Sequence, residues 1–190
     1  SDATNTIAEG EVLQLLNMND PEVDEASYLQ VIRYKTAKLF EASTELGAIL
    51  AQASDTQREQ AAAFGRHIGT AFQLMDDLLD YTANAAQMGK NAGDDLREGK
   101  RTVLMAMTLD ALSEDGKREL LAHLGQPDIS AAKIEELRAL IKSSGAVEKV
   151  ENLIEKLTND SLTAIEDPSI HPSSREFLTY IALSAVKRSA

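Results

Sequence analysis

The sequence predicts an all-α antiparallel helical bundle, and three observations carry that expectation. Proline occurs only at 21, 127, 168 and 172. Glycines gather at 65–69, 89–99 and 116–125, which leaves long unbroken stretches between them. Within those stretches the apolar residues recur at helical spacing, and no period-two alternation is sustained.

The elements follow in order. Helices are expected over 3–17, 24–52, 55–83, 102–112, 115–124, 130–143, 146–166 and 173–188. Asp20-Pro21 separates the first two, and Asp24 is a candidate N-cap for the second. Ser54 or Asp55 can cap the third helix, Ser130 the sixth and Ser173 the last. The first begins almost at once, in "ATNTIAEGEVLQLLN". Either the N-terminus is simply helical, or the chain is the back half of a larger bundle. No internal repeat or low-complexity linker divides the sequence, so a single domain over 1–190 is expected.

Composition narrows the function. A chain of 190 residues with 43% hydrophobic content can bury one sizeable core. The absence of cysteine excludes disulfides, thiolate metal sites and cysteine catalysis, and it fits a reducing cytoplasm. No apolar run is long enough to cross a bilayer. The net charge of −12 argues against nucleic acid as the main partner, because phosphate backbones repel such a surface. An anionic small molecule would need a metal or a local basic cluster. The three histidines, at 67, 123 and 171, are too scattered for an imidazole metal site.

The third helix carries an unusual stripe. In "FQLMDDLLD" the residues Gln73, Asp76, Asp77 and Asp80 fall at i, i+3, i+4 and i+7, so they share one face. Phe64, Ile68, Phe72, Met75 and Leu79 lie opposite, with Ala71, Leu74, Leu78 and Tyr81 widening the apolar arc. Toward the N-terminus the acidic stripe continues through Gly69, Arg66, Gly65 and Ala62, a candidate groove floored by small residues. A solvated surface stripe ordinarily mixes lysine and glutamate, whereas this one has neither. Like charges at this spacing repel. A shared Mg²⁺ would relieve them, since Mg²⁺ binds one or two carboxylates together with substrate phosphates.

Two regions supply cations for such a phosphate. Lys35 follows Val31 and Ile32 by one turn and precedes Leu39 by another, so it is expected on the apolar side of the second helix beside Thr36. The alternative is a lysine snorkelling from the core edge. The stretch "ANAAQMGKNAGDDLREGKRT" is expected as a long mobile loop from Ala83 to Arg101. It brings Lys90, Lys100, Asp94 and Asp95 directly after the aspartates, and long loops are often functional.

The blocks "YKTAKLF", "GTAFQLMDDLLD" and "GKNAGDDLREGK", in this order and spacing, resemble the trans-isoprenyl diphosphate synthases, most closely the long-chain, octaprenyl-making members. The resemblance implies a bundle of the isoprenoid synthase type. It also implies a Mg²⁺-dependent prenyltransferase that condenses isopentenyl diphosphate onto an allylic diphosphate to make a long-chain polyprenyl diphosphate. Matched residue by residue, Asp76, Asp77 and Asp80 fall on the second aspartate-rich motif, with Asp76 the direct metal ligand and Asp94 an outer carboxylate. Lys35, Thr36, Gln73, Lys90 and Lys100 fall on positions that contact the allylic diphosphate. The family's first D-D-x-x-D motif, its Gly-Gly-Lys-Arg stretch and its arginine pair have no counterpart here. The chain is therefore expected to be a C-terminal portion with the N-terminal part of the bundle missing, inactive by itself. Homodimerisation or self-association through exposed helix faces is expected too. A non-catalytic helical subunit of a heteromeric prenyl diphosphate synthase is the alternative, and a terpene cyclase of the same fold a third reading.

Overall fold

A computed structural model describes residues 2–18, 24–83 and 93–187, and every regular element among them is helical. In chain order these are α1 (Asp2–Asn17), α2 (Glu25–Ile32), a π turn (Arg33–Ala37), α3 (Lys38–Leu50), α4 (Asp55–Thr82), α5 (Asp94–Glu98), α6 (Val103–Ala111), α7 (Glu114–His123), α8 (Ala131–Ser143), α9 (Ala146–Ala164) and α10 (Pro172–Val186). No helix among the described residues is long and apolar enough to cross a membrane.

The caps follow largely from local sequence. Asp24 accepts from the Ser27 N–H at the head of α2. Ser54 opens α4 with a reciprocal capping box to Gln57, and Ser130 caps α8. The last helix differs from expectation. His171, not Ser173, accepts the first backbone N–H, because Pro172 occupies the first helical position, where a missing N–H costs nothing.

The long helix 4 is the axis of the bundle. It buries Phe64, Ile68, Ala71, Leu74, Leu78 and Tyr81 and packs on α3 along one side and α9 along another. A Cβ at Gly65 would strike the Phe40 carbonyl, and one at Gly69 would strike Ala37, so α3 and α4 run antiparallel at close approach. The small residues of the stripe therefore form a helix seam rather than the floor of an open groove. Phe72, Met75 and Leu79 are only half-buried. On its inner face α9 buries Val150, Ile154 and Ser161, while α8 buries Ile134, Leu137 and Ile141.

The stretch expected as one helix over 24–52 is interrupted. At the π turn the Lys38 N–H reaches back five residues to the Arg33 carbonyl. That widened turn adds a residue and rotates everything after it. Leu39, expected beside Lys35 on the apolar side, is consequently 58% exposed. Against this turn lies α1, with Gly10 at the crossing, where a Cβ would stand 2.5 Å from the Lys35 backbone nitrogen. Only glycine permits that approach.

Candidate functional site

The π turn, α1 and α4 converge on one cavity of about 220 Å³. Its polar wall is Gln14, Lys35, Thr36, Gln73, Asp76 and Lys100, and its apolar wall is Tyr28, Val31 and Ile32. Five of the residues singled out from sequence thus share a wall. The π turn explains how Lys35 and Thr36, consecutive in sequence, both face it.

A hydrogen-bond chain runs behind the wall. The Thr36 hydroxyl donates to Gln73 Oε1 at 2.9 Å, and Gln73 Nε2 donates to Asp77 Oδ1 at 2.9 Å. Lys100 Nζ donates to the same oxygen at 2.7 Å and to Asp95 Oδ2 at 3.3 Å. Lys35 Nζ donates to Gln14 Oε1 at 2.9 Å and pairs with Glu11 at 3.0 Å. The chain fixes the orientation of the glutamine amide between Thr36 and Asp77.

The four acidic residues expected to share a metal separate into distinct roles. Asp76 is exposed and lines the cavity. Asp77 is 2% exposed and faces inward to Lys100. Asp80 is buried and accepts from the Asp95 N–H at 3.2 Å, which fixes the start of α5. Asp94 pairs with Arg97 at 3.2 Å. Among the described residues no three His, Cys, Asp or Glu side chains are grouped closely enough to hold a metal. Along the stripe, Lys100 offsets the charge of Asp77.

Burial raises the carboxyls of the site's inner aspartates. Burial pushes the Asp77 carboxyl up from its ordinary value, against the opposing pull of Lys100 and Gln73. Burial likewise pushes Asp95 up to about 7, with Lys100 pulling down and Asp77 and Asp80 adding to the rise. At Lys100 burial works against the charge, but Asp77 and Asp95 outweigh it and hold the ammonium above its usual range. One Asp77 oxygen, Oδ2, is buried without a hydrogen-bond partner among the described residues. Among the described residues the donor set fits Mg²⁺ through Asp76. Asp76 would supply a carboxylate at the cavity rim, and ligand phosphates and water would supply the rest.

Sequence reasoning missed four contributors. Asp95, not its neighbour Asp94, joins the lysine cluster. Gln14 and Gly10 stand one turn apart on α1, a signal readable only once their partner at the π turn is known. Tyr28 lies seven residues before Lys35, two helical turns, and is buried. The expected loop 83–101 contains helix α5, bracketed by Gly93 and Gly99 in left-handed conformations. Lys90 lies outside the described residues.

The all-helical bundle around α4 has the fold of solved decaprenyl and geranylgeranyl diphosphate synthases. Residues 1–141 match the model of the polyprenyl synthetase family, and the chain belongs to that family. It is similar to the octaprenyl diphosphate synthase of Haemophilus influenzae, 47% identical over 133 residues, covering 64% of this chain and 40% of that protein. The all-trans-nonaprenyl-diphosphate synthase (geranyl-diphosphate specific) of Rhodobacter capsulatus is 37% identical over 189 residues, covering 98% of this chain and 57% of that one. Among solved structures, geranylgeranyl pyrophosphate synthase from Corynebacterium glutamicum, complexed with isoprenyl diphosphate and magnesium, superimposes with a TM-score of 0.91 at 32% identity. That match covers 99% of this chain and 55% of the solved one. The chain thus spans about half the length of the relatives it matches.

Proposed function

We propose that this chain forms the allylic-diphosphate half of a Mg²⁺-dependent prenyltransferase making a long-chain, octaprenyl-like polyprenyl diphosphate. The observation that carries the reading is the convergence of Lys35, Thr36, Gln73, Asp76 and Lys100 on one cavity. Two ammoniums and a hydroxyl suit a diphosphate, and the aspartate suits the cation that would bridge to it. The magnesium and isoprenyl diphosphate in the Corynebacterium relative support the same pairing.

In this reading Asp76 is the direct metal ligand. Asp77 acts through Lys100, holding its ammonium toward the cavity, and Asp80 acts through the backbone of Asp95. Lys35 and Thr36 orient the diphosphate, and Lys90 joins them by the family resemblance. Bound Mg²⁺ would stabilise the negative charge that grows on a departing diphosphate. Tyr28, Val31 and Ile32 keep water from the allylic carbon that diphosphate leaves. The family resemblance ties isopentenyl diphosphate to a Gly-Gly-Lys-Arg stretch and an arginine pair, and neither has a counterpart in these 190 residues. A non-catalytic subunit would have no use for all five cavity residues.

Binding of farnesyl diphosphate to the purified chain tests the reading, measured with and without Mg²⁺ alongside incorporation of radiolabelled isopentenyl diphosphate. The expected result is Mg²⁺-dependent binding without labelled product. Binding that ignores Mg²⁺, or none at all, overturns the assignment of the cavity. Labelled product overturns the restriction to half a site.

A further inference from the structure

We infer that helix α8, which contributes nothing to the cavity wall, is the element that positions the acidic cluster, and that Arg138 is its positioning residue. Arg138 is 6% exposed, an unusual state for a guanidinium. Its Nε donates to the Tyr81 carbonyl at 2.8 Å and its Nη2 to the Ala83 carbonyl at 2.6 Å. Its Nη1 pairs with Glu135 at 2.6 Å. The carbonyls at a helix C-terminus lack partners within the helix and carry partial negative charge. Arg138 satisfies them at the end of α4, 57 residues away in sequence.

A second contact on the same face of α8 holds the chain at Gly93. One turn before Arg138, Ile134 packs on Gly93 so closely that a Cβ there would stand 2.6 Å from its Cγ2. Gly93 has a φ of 82° and donates its N–H to the Asp80 carbonyl at 3.2 Å. So α8 grips the chain where it leaves the aspartate helix, at Tyr81–Ala83, and where it returns, at Gly93. Between these grips lie the bonds that register Asp80 with Asp95, and through Asp95 with Lys100 and Asp77. Among the described residues the hydrogen bonds and ion pair of Arg138 go to Tyr81, Ala83 and Glu135, none of which lines the cavity. It acts by fixing the two backbone segments that carry them.

Amide hydrogen exchange on the whole 190-residue chain tests this without any ligand. Arg138→Met removes both carbonyl bonds. It should speed exchange at Gly93 and Asp95 roughly tenfold or more, because each bond to a charged donor is strong. Buried amides of α9, such as Ile154, should change much less. Arg138→Lys, which keeps the charge and can reach only one carbonyl, should give an intermediate loss. Glu135→Ala leaves both carbonyl bonds in place and should leave Gly93 and Asp95 within about twofold of the native rate. Unchanged protection at Gly93 and Asp95 in Arg138→Met, or an equal rise in exchange throughout the molecule, overturns the inference. A companion titration with inorganic diphosphate and Mg²⁺ rests on the proposed function. A native chain that fails to bind diphosphate contradicts that function, while the exchange pattern still decides the role of Arg138.

Discussion

At the scale of single residues the site turns on one buried charge pair. Asp77 is almost wholly removed from water, and Lys100, 16% exposed, is the cation against it. Taking one partner from such a pair strands the other, which typically costs more than the pair ever contributed. Lys100→Met should therefore destabilise the chain by about 3 kcal/mol in urea unfolding. Adding Asp77→Asn should recover much of that loss, because a neutral amide tolerates burial without the ammonium. A Lys100→Met cost under about 1 kcal/mol would mean that Asp77 finds compensation elsewhere. The aspartate stripe was legible in the sequence because the regular periodicity of α4 sets its direction, whereas Lys35 stood out only as a charge among apolar neighbours. The partner of Asp77 was not legible. Nothing in the spacing from 77 to 100 tells which of Lys90, Lys100 and Arg101 returns to the helix. Asp94 and Asp95 show the same limit. Adjacent residues on a helix point about 100° apart, and a five-residue helix carries too short a pattern to give its phase.

At the scale of elements the decisive feature is the π turn, which turns Lys35 and Thr36 to one cavity and leaves Leu39 in solvent. Sequence periodicity assumes 3.6 residues per turn throughout, so an inserted residue is invisible to it. It found both ends of the 24–52 helix within about two residues and missed the break between. The turn is held from outside by α1. Gly10→Ala should test that contact, because the sign of the effect is diagnostic. In an open helix the change stabilises by about 1 kcal/mol. Here the new methyl meets the Lys35 backbone, and overpacking should destabilise by about 1–3 kcal/mol. Thermal or urea unfolding reads the difference. A stabilised variant would show that α1 does not press on the turn.

At the scale of the whole molecule, the bundle leaves apolar residues in water. Val12, Leu15 and Leu16 on α1, Leu46, Ile49 and Leu50 on α3, and Phe177 and Tyr180 on α10 are exposed. Faces of this kind commonly pack against other protein. Sedimentation equilibrium should give a mass above the 20.6 kDa of one chain, and Leu46→Glu with Ile49→Lys should lower it. A concentration-independent monomer would contradict self-association. In the proposed function Asp76 and the two cavity lysines form a joint site for a divalent cation and a diphosphate. Mn²⁺ can stand in for Mg²⁺ at oxygen ligands, and its paramagnetism broadens nearby amide resonances. With Mn²⁺ and inorganic diphosphate added together, broadening should centre on Lys35, Thr36 and Gln73–Asp77, and Asp76→Asn should abolish it. Broadening that centres on other acidic surfaces, or that survives Asp76→Asn unchanged, would contradict the site.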